Sequence, residues 1–145
     1  MTSLQLQLCD IQGRLFELSG KKGYDSISFI KTFMLSHVAK GLDSKYNRFQ
    51  WAGEEYLLAE VADCSDISKN GAVFDKEVLY WAGYLYCFWH FFSGEDSKEI
   101  YKQASAETMN RNWLMFHTLA PEIAIDNLIE IYSQKIYKNN IRNNT

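Results

Sequence analysis

Apolar residues recur every three or four positions along nearly the whole chain. That is the period of an α-helix, not the two-residue alternation of a half-buried strand. Leu4, Leu8, Ile11, Leu15 and Leu18 step by four and three and predict a first amphipathic helix, which Gly20-Lys21-Lys22-Gly23 breaks. Asp25 or Ser26 suits the cap of a second helix carrying Ile27, Ile30, Phe33, Met34 and Val38, with Gly41 ending it in the left-handed conformation glycine adopts cheaply. Asp43 or Ser44 opens a third, with Phe49, Ala52, Tyr56 and Ala59 on one face and its end near Asp63. A polar turn, Cys64 to Gly71, separates it from the next.

The run Val78–Phe92, VLYWAGYLYCFWHFF, breaks the one-stripe rule. Only Gly83 and His90 fall outside the apolar set, so this helix is apolar nearly all round and buried on most sides. It is read as the central helix, from about Ala72 to Phe92, with Trp81 in the core, or as part of a surface that a partner covers. Ser93-Gly94 stops it. Asp96 with Glu99 resembles a capping box for a short helix to Ala104. Ser105 caps another, with Ala106, Met109, Trp113 and Phe116 inward. Pro121 opens a last helix lined by Ile125, Leu128, Ile129, Tyr132 and Ile136. The pattern predicts an all-α fold: a single compact bundle of six or seven helices over residues 1–137, followed by a polar flexible tail at 138–145.

Composition sharpens this reading. The 145 residues are 47% hydrophobic and 15% aromatic, which suits one globular domain rather than a disordered chain. A net charge of −3 argues against a general nucleic-acid binder. The N-terminus lacks the basic start and apolar run of a signal peptide. The aromatic run is shorter than the roughly 20 residues a membrane span needs and is bracketed by charge. Cys9, Cys64 and Cys87 form an odd set without short spacing, a poor disulfide framework and a poor zinc site. A reducing, cytoplasmic setting is expected.

Candidate chemistry is sparse. Arg111 and His117 match a loose R-x(4–6)-H signature of HEPN-type ribonucleases, with a polar residue directly after the arginine. In that chemistry His117 would move the proton of a ribose 2′-hydroxyl and Arg111 would hold the phosphate. On one helix the two lie about 120° apart and about 9 Å along the axis, able to flank a cleft. The alternative is a solvated arginine and a histidine placed to suit the helix C-terminus. His37 is read as a surface or capping residue and His90 as a core histidine with one hydrogen-bond partner. His37, His90 and His117 have no HxxxH or HxH spacing, so no metal site is expected from them, and no phosphate-binding glycine loop or nucleophile elbow implies a cofactor.

Two further features concern binding. Gln50-Trp51-Ala52-Gly53 echoes Tyr80-Trp81-Ala82-Gly83, each with a tyrosine three residues after the glycine. A glycine inside a helix costs about 1 kcal/mol relative to alanine. The echo marks either close helix approach at Gly53 and Gly83 or a coincidence between two core helices. In the segment Arg48–Tyr56, helical spacing puts Arg48, Trp51, Glu54 and Glu55 on one side, an aromatic and acidic patch suited to a protein partner. That placement requires an exposed Trp51.

Three stretches, Ser28–Val61, Tyr80–Asn112 and Phe116–Tyr132, resemble small all-helical proteins of Gram-positive bacteria. Those are encoded beside ADP-ribosyltransferase-like toxins in toxin–antitoxin-type operons. The resemblance implies a non-enzymatic protein-binding module, antitoxin-like or accessory, that neutralises a toxin by direct contact. It supplies no catalytic residues. The alternatives are a HEPN-like ribonuclease toxin using Arg111 and His117, and an element-encoded inhibitor of a host defence enzyme.

Overall fold

Two helices with glycine on their facing sides set the architecture. The computed structural model describes residues 1–45 and 47–143. In it α1 (Ser3–Lys21) and α5 (Lys76–Ser93) share the largest interface. They run antiparallel: Gln12 meets Gly83, Gly13 meets Tyr80, and Gly20 meets Leu79. A methyl at Gly83 would run into the backbone carbonyl of Gln12, and one at Gly13 would stand 2.8 Å from the Tyr80 ring. The buried Gln12 side chain uses the closeness, donating from Nε2 to the Gly83 carbonyl at 2.9 Å.

The remaining helices wrap this pair. They are α2 (Ser26–Met34), α3 (His37–Asp43), a 3-10 turn (Arg48–Trp51), α4 (Glu54–Cys64), α6 (Ser97–Gln103), α7 (Ala106–Phe116) and α8 (Pro121–Asn143). The protein is a compact all-α bundle with no strand among the described residues. Phe16 of α1 sits edge-on to Phe29 and Phe33 of α2, at 5.6 and 5.3 Å between ring centres, the arrangement the ring quadrupole favours. Tyr86 of α5 is fully buried and donates to the Ala104 carbonyl at 2.6 Å, tying α5 to the end of α6. The core tryptophan is Trp89, whose indole N–H has no acceptor among the described residues. Trp81, expected in the core, is only partly buried at the edge of it.

Eight α-helices appear among the described residues where six or seven were expected, because polar side chains override the apolar period at two points. The predicted second helix breaks after Met34. Ser36 accepts from the Ala39 N–H at 3.2 Å and donates to the Phe33 carbonyl at 2.6 Å, starting α3 afresh. Gly41 lies inside α3 and does not end it with a positive φ; the Phe49 ring comes within 2.6 Å of where its Cβ would be. Ile27 is exposed, not a core contact. The predicted third helix, Asp43 to Asp63, is a 3-10 turn followed by α4. Gln50 turns inward and donates to the Leu42 carbonyl at 3.3 Å and to that of Ser44, which holds the turn against the end of α3. Ala52 and Gly53 are then extended, so Phe49, Ala52, Tyr56 and Ala59 form no common face. Tyr56 and Ala59 are exposed.

The central helix starts at Lys76, not Ala72. The preceding residues are engaged with the start of α2: Ser26 N–H donates to the Ala72 carbonyl at 3.0 Å, and Phe74 N–H to the Ser26 hydroxyl at 2.8 Å. Its end is where expected, at Gly94 with φ 82°. Asp96, Ser105 and Pro121 open α6, α7 and α8 as read. The polar tail at 138–143 continues α8 as helix, with every side chain from Ser133 to Asn143 exposed, Ile136 included. Residues 144 and 145 of that expected tail lie outside the described residues.

The two Trp-Ala-Gly echoes have different environments. Gly83 is a contact glycine, whereas Gly53 caps α4 with nothing within 4 Å of the place a methyl group would take. Gly83→Ala should destabilise the protein by about 1–3 kcal/mol as an overpacking change. Gly53→Ala should cost less than about 1 kcal/mol, the range of a lost cap preference. Trp89→Ala should lose about 3–5 kcal/mol, and Trp81→Ala clearly less. Urea unfolding of the four variants checks both orderings.

Candidate functional site

The Arg48–Trp51 turn presents its tryptophan outward because its neighbours face in. Phe49 and Gln50 are buried, while the Trp51 side chain is 78% exposed. Arg48 is exposed and lies over the Phe49 ring at 4.9 Å, a cation–π contact. The exposure that the patch requires is present. Its helical rationale is not: Arg48 and Trp51 sit on the turn, and Glu54 and Glu55 open α4 after an extended joint. Glu54 turns toward α1, 4.0 Å from Arg14, which is paired more closely with Asp10 at 2.9 Å. Glu55 is exposed and lines a cavity together with Glu54, Arg14, Glu17 and Lys21. Trp51 and Glu54 line one cavity, Glu54 and Glu55 another, and Arg48 lies over Phe49, so the four do not form a single helical stripe.

Arg111 and His117 both belong to the α7 region but serve different surroundings. Arg111 is exposed and has no ion pair with a described residue. His117 caps the helix end and stacks on Trp113, with ring centres 4.0 Å apart. Its Nδ1 lies 2.7 Å from the Trp113 carbonyl, which places the ring proton there. His117 also lines a cleft of about 580 Å³ with Trp113, Trp81, Tyr80, Tyr84, Glu17 and Glu77. Arg111 is not among that cleft's walls. Within the chain, the alternative pair Arg111 and His117 therefore does not line that cleft together. The exposed apolar side chains of α7 are its neighbours Leu114 and Met115.

A buried polar knot joins three helices near His90. Asp43, at the end of α3, accepts from the Ser97 N–H at 2.8 Å and the Ser97 hydroxyl at 3.1 Å, holding the start of α6. His90 places Nδ1 2.5 Å from the Glu95 carbonyl and 3.7 Å from Asp43. His90, read as a core histidine with one hydrogen-bond partner, is instead half-buried and faces both the Glu95 carbonyl and the Asp43 carboxylate. Burial pushes the Asp43 carboxyl above 3.8, against the opposing pull of Ser97 and His90.

The fold also brings together residues whose spacing in sequence gave no signal. Cys87 meets Cys9 across the α1–α5 seam. The hydrogen bond between them, then burial, pushes the Cys87 thiol well up. Both thiols are free. Tyr80 donates to Asp10 at 2.5 Å beside the same seam; burial first and this bond second raise its hydroxyl pKa. On the opposite flank, His37 Nε2 lies 3.3 Å from Glu60 Oε1, and Cys64 follows one turn along α4. Glu60 and Cys64 share a helix face because α4 runs on to Cys64, which the sequence pattern placed in the polar turn after the helix. The place of His37 was not legible either, because it depends on the break at Ser36.

Compared with known proteins, the chain matches no family model, no curated protein and no solved structure.

The Asp43 knot sets a pH dependence. A carboxyl raised above 3.8 in the native state binds its proton more tightly than in the unfolded chain. Its contribution to stability is therefore fully present below the unfolded value and is lost as pH rises through the raised native one. Asp43→Asn should remove this falling segment from a curve of unfolding free energy measured between about pH 3 and about pH 7. An identical slope in the variant would assign the effect elsewhere.

Proposed function

We propose that the protein is a non-enzymatic protein-binding module, antitoxin-like or accessory in role, that neutralises a toxin by direct contact through the corner bearing Arg48, Trp51, Glu54 and Glu55. Trp51 carries the reading. It is the most exposed large hydrophobic side chain of the described residues, on a turn anchored by the buried Phe49 and Gln50. An indole fixed in this way adds large apolar area to an interface at little cost in conformational entropy. Tryptophan and arginine are the residue types most enriched at interface hot spots. The carboxylates beside them favour a partner surface of positive charge. The resemblance to operon-encoded helical proteins makes the product of the neighbouring gene the first partner to test.

The test is calorimetric titration of that product into the protein. Trp51→Ala should weaken binding by about 30-fold or more, the equivalent of about 2 kcal/mol for a hot spot. Its own unfolding free energy should change by no more than about 0.5 kcal/mol, as for a surface site. No complex with the neighbour's product, or full affinity in a Trp51→Ala, Glu55→Lys double variant, would reject the proposal.

A further inference from the structure

On the flank formed by α3 and α4, three different donor types converge. His37 is the first residue of α3, and Glu60 and Cys64 stand one turn apart on α4. One imidazole nitrogen, one carboxylate oxygen and one thiol sulfur from these residues all lie within 4.8 Å of one another. No two of the three are neighbours in sequence.

We propose that His37, Glu60 and Cys64 form a surface site for a zinc ion, with the fourth coordination position open. Mixed nitrogen, oxygen and sulfur donors select zinc among the common cellular cations. Magnesium and calcium take six or more oxygens and have no use for the thiol. With zinc bonds of about 2.0 Å to N and O and about 2.3 Å to S, tetrahedral geometry puts N and O about 3.3 Å apart and S about 3.5 Å from either. The His37–Glu60 separation is already 3.3 Å. The sulfur needs to close by no more than about 1.3 Å, within reach of a side-chain rotation at an exposed helix end.

The surroundings favour the ion. Cys64 is the last residue of α4, where the helix presents the negative end of its dipole to a cation. The His37 ring packs edge-on against Phe49 at 5.7 Å, which limits its rotation. On binding, the Cys64 thiol releases its proton to solvent, and the imidazole keeps its proton on Nδ1 so that Nε2 offers its lone pair. Zinc would then join α3 directly to α4, across the segment that carries Trp51. This site stands whether or not that segment binds a partner.

The test titrates reduced, metal-free protein with cobalt(II) and, separately, with zinc(II). Cobalt should bind one to one with a thiolate-to-metal absorption band and the intense visible bands of a four-coordinate ion. Cys64→Ser should abolish the thiolate band. His37→Ala and Glu60→Gln should each weaken zinc at least about tenfold, since even outer-shell changes cost that much. Magnesium should not compete, and affinity should fall as pH is lowered, because the thiol must deprotonate. A cobalt complex without the thiolate band, zinc binding no tighter than that of magnesium, or three variants that titrate like the parent would each overturn the site. Circular dichroism confirms that each variant keeps its helices, and the exposed positions of His37 and Cys64 leave the core untouched.

Discussion

The contact between α1 and α5 at Gly83 governs the rest of the fold. Two helices whose facing positions carried ordinary side chains would stand further apart, and the Gln12 side chain would not reach the Gly83 carbonyl. Close approach lets Phe16 enter the pocket between Phe29, Phe33 and Tyr86. Tyr86 in turn fixes the end of α6 through Ala104. The energetics are those of dense packing: many weak contacts, each small, that fail together when the backbone spacing changes.

Around this pair the chain is organised by side-chain-to-backbone hydrogen bonds. Ser36, Gln50 and Ser26 each satisfy backbone groups that a continuous helix would have used differently. Periodicity recovered α1, α5, α6, α7 and α8 because their apolar faces and caps agree. It failed between Met34 and Glu54, where the apolar spacing persists but the polar residues between win locally. Serine and asparagine compete with the helix by bonding nearby backbone, and Asn47 does so at the Phe49 N–H. The start of α5 was misplaced for a related reason: Ala72 and Phe74 have suitable side chains, but their backbone groups are committed to the start of α2 from 46 or more residues away, a fact no local window contains.

The candidate sites were legible in proportion to how local they are. Trp51, Glu54 and Glu55 could be named from composition, and the exposure of Trp51 follows from the inward turn of Phe49 and Gln50. The helix invoked to group them was wrong, so their mutual geometry was not readable. The identical Trp-Ala-Gly letters at 51–53 and 81–83 make the same point: one set ends an extended joint and the other fills a helix seam. The cleft between Trp81 and Trp113, the Cys9–Cys87 contact and the His37–Glu60–Cys64 group each need two helices to meet. None has a signature within one segment, and Cys64 was placed in a turn rather than on the helix that carries Glu60.

The last helix has a consequence of its own. Its buried residues end at Leu128, and from Ser133 to Asn143 every side chain faces solvent. Those turns keep their shape largely through their own backbone hydrogen bonds, because none of their side chains is buried in the core. A helical stretch of that length on its own is marginal in water. Its free energy of opening should therefore decline along its length, from that of the whole molecule at Leu128 to a much smaller value at the exposed end. A single continuous helix thus contains a gradient of amide-exchange protection, with its steep part just past Tyr132. The geometry of α8 is uniform, but its thermodynamics are not.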